Sequence, residues 1–282
     1  MHLFHRRLRK SLAAPREPIR QTLASHGVTG ESISIPTQRG RRLAGWWLPG
    51  QKRTGVVIIT HGWGANRELM LPLARPLQTA GWDVLLFDAR NHGESDADDF
   101  SSMPRFAEDT DATIDWVRQR AGRELAPVVL MGHSVGAAAV LLSASRRHDI
   151  AAVVSLSTFA HPDQMMRRWL ASKGIPFFPL GWYVLRYVER VIGHRFHEIA
   201  PIHTLPQVQC PVLLVHGRED PVIPASDAQR LFASRGNTPA TLHLLDGEHD
   251  LSRHLDSEWP RLQAFLKQAT RRSKASPRSS HF

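Results

Sequence analysis

The pentapeptide Gly-His-Ser-Val-Gly at residues 132–136 constrains the fold of this chain more than any other stretch. An apolar run at 127–131 precedes it, and a run of small and aliphatic residues at 137–142 follows it. A strand, a sharp turn and a helix form the context in which G-x-S-x-G makes a nucleophile elbow. Glycine on each side of the serine lets the backbone double back without a Cβ clash. This context predicts that Ser134 is a nucleophile at the end of a sheet strand.

An acid and a histidine follow this serine in the chain order that such a site uses. The apolar run at 211–215 reads as a strand, and Asp220 lies shortly after it. The run at 241–245 reads as the last strand, and His249 follows it. A serine hydroxyl needs a neutral imidazole to take its proton, and a buried carboxylate orients that imidazole. We therefore predict His249 as the base and Asp220 as the acid, with the adjacent Glu219 as an alternative acid.

Two backbone N–H groups are expected to complete the site as an oxyanion hole. One comes from the residue after the nucleophile, Val135, and the other from the loop after an earlier strand. Residues 55–60 read as that strand, and His-Gly-Trp-Gly at 61–64 follows it. We predict the N–H of Trp63 as the second donor, with an ordinary turn at the strand end as the alternative.

These features together resemble the serine hydrolases of the α/β-hydrolase superfamily over about residues 30–268. A further stretch supports the resemblance, because the apolar run 84–87 leads into Asp-Ala-Arg-Asn-His-Gly-Glu-Ser at 88–95. The resemblance implies a mostly parallel central sheet with helices on both faces and a small helical cap. In relatives the D-x-R-x-H-G-x-S loop is mostly structural, so its side chains are not catalytic candidates; Asn91 replaces the usual glycine. A serine nucleophile argues against the dehalogenases and epoxide hydrolases of this fold.

Hydrophobic patterns agree with this fold class. Strand-like and helix-like segments alternate from about residue 55, which is typical of a parallel sheet covered on both faces. Two earlier strands, 31–36 and 42–48, alternate polar and apolar residues and are predicted to form an antiparallel edge. Helices are predicted at 67–79, 104–121, 135–147, 225–234 and 256–270.

The segment at residues 161–200 is longer than an ordinary crossover and is predicted to be the inserted cap. It is rich in sulfur-containing and aromatic side chains. The candidates for an apolar substrate pocket are Met165, Trp169, Phe177, Phe178 and Tyr183. The alternative for each of these residues is that it only packs the insertion onto the body.

Charge divides the chain into three parts. The net charge is +10, and both ends are strongly basic. We predict a basic extension at 1–30, a hydrolase domain at 31–268 and a basic disordered tail at 269–282. A nearly neutral body argues against nucleic-acid binding. Residues 1–12 have the pattern of a basic amphipathic helix that could touch a membrane surface, and a solvated, frayed end is the favoured alternative.

Targeting signals and cofactor motifs are lacking in the sequence. The basic start lacks the apolar stretch of a secretory signal, and no run reaches the length of a membrane span. The single cysteine, Cys210, suits a reducing compartment, so a cytoplasmic location is expected. The histidines near residue 200 miss the H-E-x-x-H spacing, and neither a metal nor a cofactor is expected.

The predicted function is hydrolysis of a small-molecule carboxylic ester or thioester through an acyl-enzyme. An acyltransferase, a perhydrolase or a peptidase would use the same three side chains and remains an alternative. A catalytically silent binding protein is the second alternative. The sequence makes no prediction of acyl length or oligomeric state.

Overall fold

The core of the protein is an eight-stranded sheet with the order β1-β2-β4-β3-β5-β6-β7-β8. The computed structural model describes residues 13–52, 54–120, 122 and 126–275, without the side chains of 252–253, 255–256 and 272–275. The strands are β1 Glu31–Pro36, β2 Arg42–Leu48, β3 Val56–Thr60, β4 Asp83–Phe87, β5 Val128–His133, β6 Ile150–Leu156, β7 Val212–Gly217 and β8 Ala240–Leu245. β1 pairs antiparallel with β2 and β2 antiparallel with β4, whereas the remaining pairs are parallel. The predicted sheet with its antiparallel edge is confirmed.

Helices connect the parallel strands and cover the sheet. In chain order they are α1 Leu71–Thr79, α2 Met103–Gln119, α3 Val135–Ser145, α4 Pro162–Ser172, α5 Trp182–Ile192, α6 Phe196–Ile199, α7 Pro201–Thr204, α8 Ala225–Ala233 and α9 Leu255–Ala275. The helices α4 to α7 lie between β6 and β7, and α4 to α6 fall in the segment 161–200 where the cap was predicted. A 3-10 turn at Glu68–Met70 leads into α1, which therefore begins later than residue 67.

Side chains alternate between the two faces of each strand and build two hydrophobic cores. In β3, Val56 and Ile58 pack with α2 and α3 on one face. Val57 and Ile59 pack with α1 and α9 on the other face. All four are almost fully buried, and such continuous apolar runs are required of strands covered on both faces. Because β3 to β8 run parallel, the loops that follow them meet at one edge of the sheet.

The two ends of the chain lie partly outside the described residues. The tail was predicted to begin at residue 269, but α9 continues to Ala275, because Ala269 and Thr270 are buried against the sheet. Residues 276–282 and the predicted amphipathic segment 1–12 lie outside the described residues. Residues 15–26 contact the loop after β3, where Asn66 Nδ2 donates to the carbonyl groups of Glu17 and Pro18.

None of the helices in the described part of the chain combines the length and the hydropathy that crossing a bilayer requires.

Candidate active site

Ser134 occupies a sharp turn between β5 and α3. Its backbone has φ 56° and ψ −120°. Residues other than glycine rarely adopt this conformation, and such strained residues are concentrated at functional sites. The flanking glycines are needed for close approach. A Cβ at Gly136 would lie 2.3 Å from the carbonyl oxygens of Thr60 and His61, and one at Gly132 would lie 2.4 Å from the carbonyl oxygen of Gly136. The serine is therefore held against the end of β3.

Asp220 and His249 form a hydrogen-bonded pair at the ends of β7 and β8. His249 Nδ1 donates to Asp220 Oδ2 at 2.7 Å. The other carboxylate oxygen accepts from the N–H groups of Val222 and Ile223, each at 2.8 Å. Asp220 is buried, whereas the alternative acid, Glu219, is exposed. The turn after β7 thus directs Asp220, and not its neighbour, toward the imidazole.

The environment of Asp220 favours its charged form. Burial alone would raise the pKa of this carboxyl group, but hydrogen bonds from His216, His249 and the Ile223 amide outweigh burial and hold it well below its usual range. His216 Nε2 lies 3.3 Å from Asp220 Oδ2 and donates to the Ile223 carbonyl at 2.8 Å. The sequence analysis missed His216, because nothing in the sequence around Asp220 indicates that a second histidine lies behind the acid.

The loops that carry Asp220 and His249 approach each other at Gly217. A Cβ there would lie 2.2 Å from the carbonyl oxygen of Gly247 and 2.4 Å from that of Glu248. Only glycine therefore allows the end of β7 to pass this close to the chain before His249. With Nδ1 bonded to Asp220, the second ring nitrogen, Nε2, is left for a serine.

The backbone of His249 is fixed by two side chains that the sequence analysis did not identify. His133 Nε2 donates to the His249 carbonyl at 2.9 Å, and Ser157 Oγ donates to the same oxygen at 3.0 Å. His133 immediately precedes Ser134, and its ring centroid lies 4.8 Å from that of His249. Ser157 follows β6 and has a φ of 51°. These contacts bring His249 to the nucleophile elbow.

No hydrogen bond between Ser134 Oγ and His249 occurs among those of the described residues. In free enzymes this bond is often long or poorly aligned, and it tightens when substrate binds. A contact between the serine and His249 therefore stays a prediction.

The loop after β3 lies next to the serine. A Cβ at Gly62 would sit 3.3 Å from Ser134 Cβ. In the described part of the chain, neither the N–H of Trp63 nor that of Val135 donates to another protein group. Unused donors beside a nucleophile are what an oxyanion hole requires. The structure thus leaves both predicted donors available near Ser134.

His61 anchors this loop from inside the protein. Its Nε2 accepts from the Ala89 N–H at 2.9 Å, and its Nδ1 donates to the Gly62 carbonyl at 2.7 Å. The ring is fully buried, and burial lowers its pKa to about 4 although the bond to Gly62 opposes this shift. His61 is therefore a neutral structural link between the ends of β3 and β4.

Replacing His61 with glutamine is expected to flatten the pH dependence of stability. Unfolded His61 gains a proton below about pH 6.5, whereas folded His61 stays neutral down to about pH 4, so acid favours the unfolded wild type. As the pH falls from about 6.5 to about 4, the free energy of unfolding of the wild type should fall by about 3 kcal/mol relative to that of His61→Gln. Urea unfolding at a series of pH values measures this difference. His148→Gln, at an exposed histidine, is the control, and an equal pH slope in wild type and His61→Gln would contradict the assignment.

The five candidate pocket residues have different environments. Met165 and Trp169 are partly buried against the core, while Phe177, Phe178 and Tyr183 are exposed. Two surface cavities, one under α9 and one beside α1, are lined by other residues. The role of these five side chains in substrate binding stays a prediction.

The D-x-R-x-H-G-x-S loop after β4 holds buried ion pairs. Asp88 accepts from the backbone and guanidinium of Arg67, and Arg90 Nε donates to Asp109 at 2.7 Å. Both pairs tie this loop to its neighbours and leave the site to other residues, in agreement with the structural role that the resemblance implies.

Comparison with protein families gives a match to the model described as "Serine aminopeptidase, S33", over residues 51–193. The chain is similar to YfhR of Salmonella typhi, an uncharacterized protein, with 30% identity over 235 residues that cover 78% of this chain and 74% of the relative. YfhR of Escherichia coli K12 is 28% identical over 229 residues, with coverages of 78% and 74%.

Solved structures share the fold. The esterase Pf2001 of Pyrococcus furiosus has a TM-score of 0.75 at 23% identity and covers 92% of this chain and 99% of its own. Est1E of Butyrivibrio proteoclasticus, solved with bound ferulic acid, has a TM-score of 0.67 at 21% identity, with coverages of 84% and 98%.

Proposed function

Because the chain belongs to the serine aminopeptidase S33 family of α/β-hydrolases, we propose that it is a serine hydrolase that cleaves a small carboxylic ester or thioester. The observation that carries the proposal is the Asp220–His249 hydrogen bond beside the strained turn at Ser134. The names of the two esterase structures agree with an ester substrate.

Proton transfer through His249 is the centre of the mechanism. Ser134 Oγ attacks the carbonyl carbon while His249 Nε2 takes the hydroxyl proton. The tetrahedral intermediate collapses, and His249 returns that proton to the leaving alkoxide or thiolate. Water then attacks the acyl-enzyme, gives its proton to His249 and releases the acid, and the proton goes back to Ser134 Oγ. Asp220 holds the imidazole in the correct tautomer and stabilises its charged form.

The oxyanion of both tetrahedral intermediates would be bound by the N–H groups of Trp63 and Val135. Backbone donors cost no reorganisation during the reaction, and losing one such donor lowers turnover by about two to three orders of magnitude. The segment at 161–200 is proposed as the cap over this site.

Peptide cleavage is the second candidate, since the family model is named for an aminopeptidase. An aminopeptidase must bind the charged N-terminus of its substrate, and a carboxylate is the group that stabilises such an ammonium ion. The proposed cap contains the carboxylates Asp163, Glu189 and Glu198. The first two are paired with Arg167 and Arg186, and the third accepts from the Arg195 N–H. Carboxylates that already have partners favour an uncharged acyl group and hence an ester or thioester.

A fluorophosphonate probe and a substrate panel test the proposal. The wild type should be labelled and should hydrolyse p-nitrophenyl and thioester substrates of graded acyl length faster than aminoacyl p-nitroanilides. Added alcohol, amine or peroxide separates hydrolysis from acyl transfer by competition with water. An unlabelled, inactive protein with the wild-type fold would support a silent binding protein instead.

Replacing His133 with alanine is expected to lower kcat by about tenfold to a hundredfold with little change in KM. The substitution removes a donor to the His249 carbonyl and loosens the loop that carries the base, and small displacements of a catalytic group cost this much. His133→Gln, whose amide can also donate, should recover part of the loss. A rise in KM as large as the fall in kcat, or no recovery with glutamine, would argue against this positioning role.

A further inference from the structure

An exposed apolar surface lies between α4 and α5. We call residues 171–183 the cap tip. It contains five of the eight large hydrophobic side chains that are exposed in the described part of the chain: Phe177, Phe178, Leu180, Trp182 and Tyr183. Phe178 is 77% exposed and Trp182 is 50% exposed. Contiguous apolar surface of this kind marks an interaction site on a soluble protein.

The cap tip is a structured projection. Gly174, with a φ of 69°, ends α4, and the Ile175 N–H returns to the Leu170 carbonyl at 3.0 Å. Leu170 behind the tip is buried, as are Val184 and Leu185 at the start of α5. One face of this turn is therefore anchored in the core, and the aromatic side chains are presented on the other.

Basic side chains outnumber acidic ones around the cap tip. Residues 164–188 contain four basic side chains and no acidic ones: Arg167, Arg168, Lys173 and Arg186. The guanidinium of Arg167 lies 3.8 Å from the centroid of the Phe177 ring. Lys173 is exposed and has no ion-pair partner among the described side chains. Arg167, Arg168 and Arg186 are paired with Asp163, Asp227 and Glu189. Lys173 thus supplies an unpaired positive charge beside the aromatic surface.

We propose that the cap tip docks on an anionic phospholipid bilayer. Phe178 and Trp182 enter the boundary between headgroups and acyl chains, where aromatic rings are favoured, and Lys173 faces the lipid phosphates. A second copy of this chain fits less well, because pairing two tips would place two Lys173 side chains without carboxylate partners at the interface. The docking rests on the cap tip alone and does not depend on the proposed catalysis.

Vesicle flotation of the full-length chain tests the docking without any turnover measurement. The bound fraction should be high on phosphatidylcholine vesicles with about a third phosphatidylglycerol and low on pure phosphatidylcholine. It should fall when salt screens the charges, since the Debye length shrinks to about 3 Å at 1 M. Equal binding to both vesicle types, or binding to neither, would overturn the proposal.

Variants locate the docking surface. Phe178→Ser/Trp182→Ser should lower binding more than about tenfold, because two buried aromatic rings are lost from the interface. Lys173→Glu should lower it as well. Leu69→Ser, at a side chain 55% exposed elsewhere, is the matched control and should bind as wild type. Thermal unfolding confirms that each variant is folded.

Two further results would contradict this assignment. Loss of binding on deletion of residues 1–12, together with full binding by Phe178→Ser/Trp182→Ser, would place the membrane contact at the N-terminus. A wild-type dimer that the double variant converts to a monomer, without vesicle binding, would show that the cap tip pairs with a second copy.

Discussion

Replacing Ser134 with alanine is expected to abolish hydrolysis of short p-nitrophenyl esters, with kcat falling about a million-fold. The hydroxyl is the only group at the elbow that can form the acyl-enzyme, so the loss should appear in kcat and in fluorophosphonate labelling alike. Alanine keeps the backbone contacts of the turn, such as the bond from the residue 134 N–H to the Leu156 carbonyl at 2.9 Å. The variant should therefore unfold at the wild-type temperature.

Ser145→Ala is the matched control for this experiment. Ser145 lies at the other end of α3, where its hydroxyl donates to the Leu142 carbonyl at 2.8 Å. This variant should keep wild-type activity and labelling. If Ser134→Ala retained ester hydrolysis or bound the probe, the nucleophile would be another residue, and the proposed mechanism would fail.

Replacing Asp220 with asparagine should lower kcat by about ten-thousandfold at neutral pH. The amide of the new residue 220 would direct an N–H toward His249 Nδ1. That nitrogen must then accept with its lone pair, and the ring would present the wrong tautomer to the serine. Glu219→Gln is the control, because that neighbouring carboxylate is exposed, and it should change kcat less than about twofold. The opposite ranking of the two variants would make Glu219 the acid.

The same substitution has a pH signature in stability. The pKa of folded Asp220 is depressed, so its ionised form stabilises the fold above the unfolded value of about 3.9. As pH falls through and below that value, the unfolded chain takes up the proton first and the stabilisation is lost. The advantage of wild type over Asp220→Asn in unfolding free energy should therefore shrink below about pH 4, as measured by urea unfolding.

Secondary structure followed closely from local patterns. The edge strands β1 and β2 have the predicted bounds because alternation of polar and apolar residues is a property of the strand itself. The last helix was predicted to end at residue 270, whereas α9 continues to Ala275. Ala269 and Thr270, at the start of the predicted tail, are buried. The basic composition of the tail therefore did not mark the end of the helix.

Residues of the site divide in the same way. Ser134 was predicted from its pentapeptide, since the turn imposes a local sequence requirement. The choice between Asp220 and Glu219 needed the fold, because the N–H groups of Val222 and Ile223 donate to the Asp220 carboxylate and not to that of Glu219. Sequence reasoning missed His133 and Ser157, because their partner is a backbone carbonyl more than ninety residues away. Contacts with main-chain atoms place no constraint on the identity of the distant residue and leave no pattern.

The sequence by itself determined the order of strands and helices along the chain and the superfamily. It also determined that a serine, an acid and a histidine follow three of the strands. Hydrophobic periodicity and the G-x-S-x-G turn can be read in this way because they involve residues that are close together in the chain. Only the tertiary structure decided which carboxylate meets the imidazole, what fixes the loop of His249 and which apolar side chains of residues 161–200 face solvent. Those properties depend on the packing of segments far apart in the chain. Burial, hydrogen-bond partners and exposure are therefore set only when the sheet is assembled.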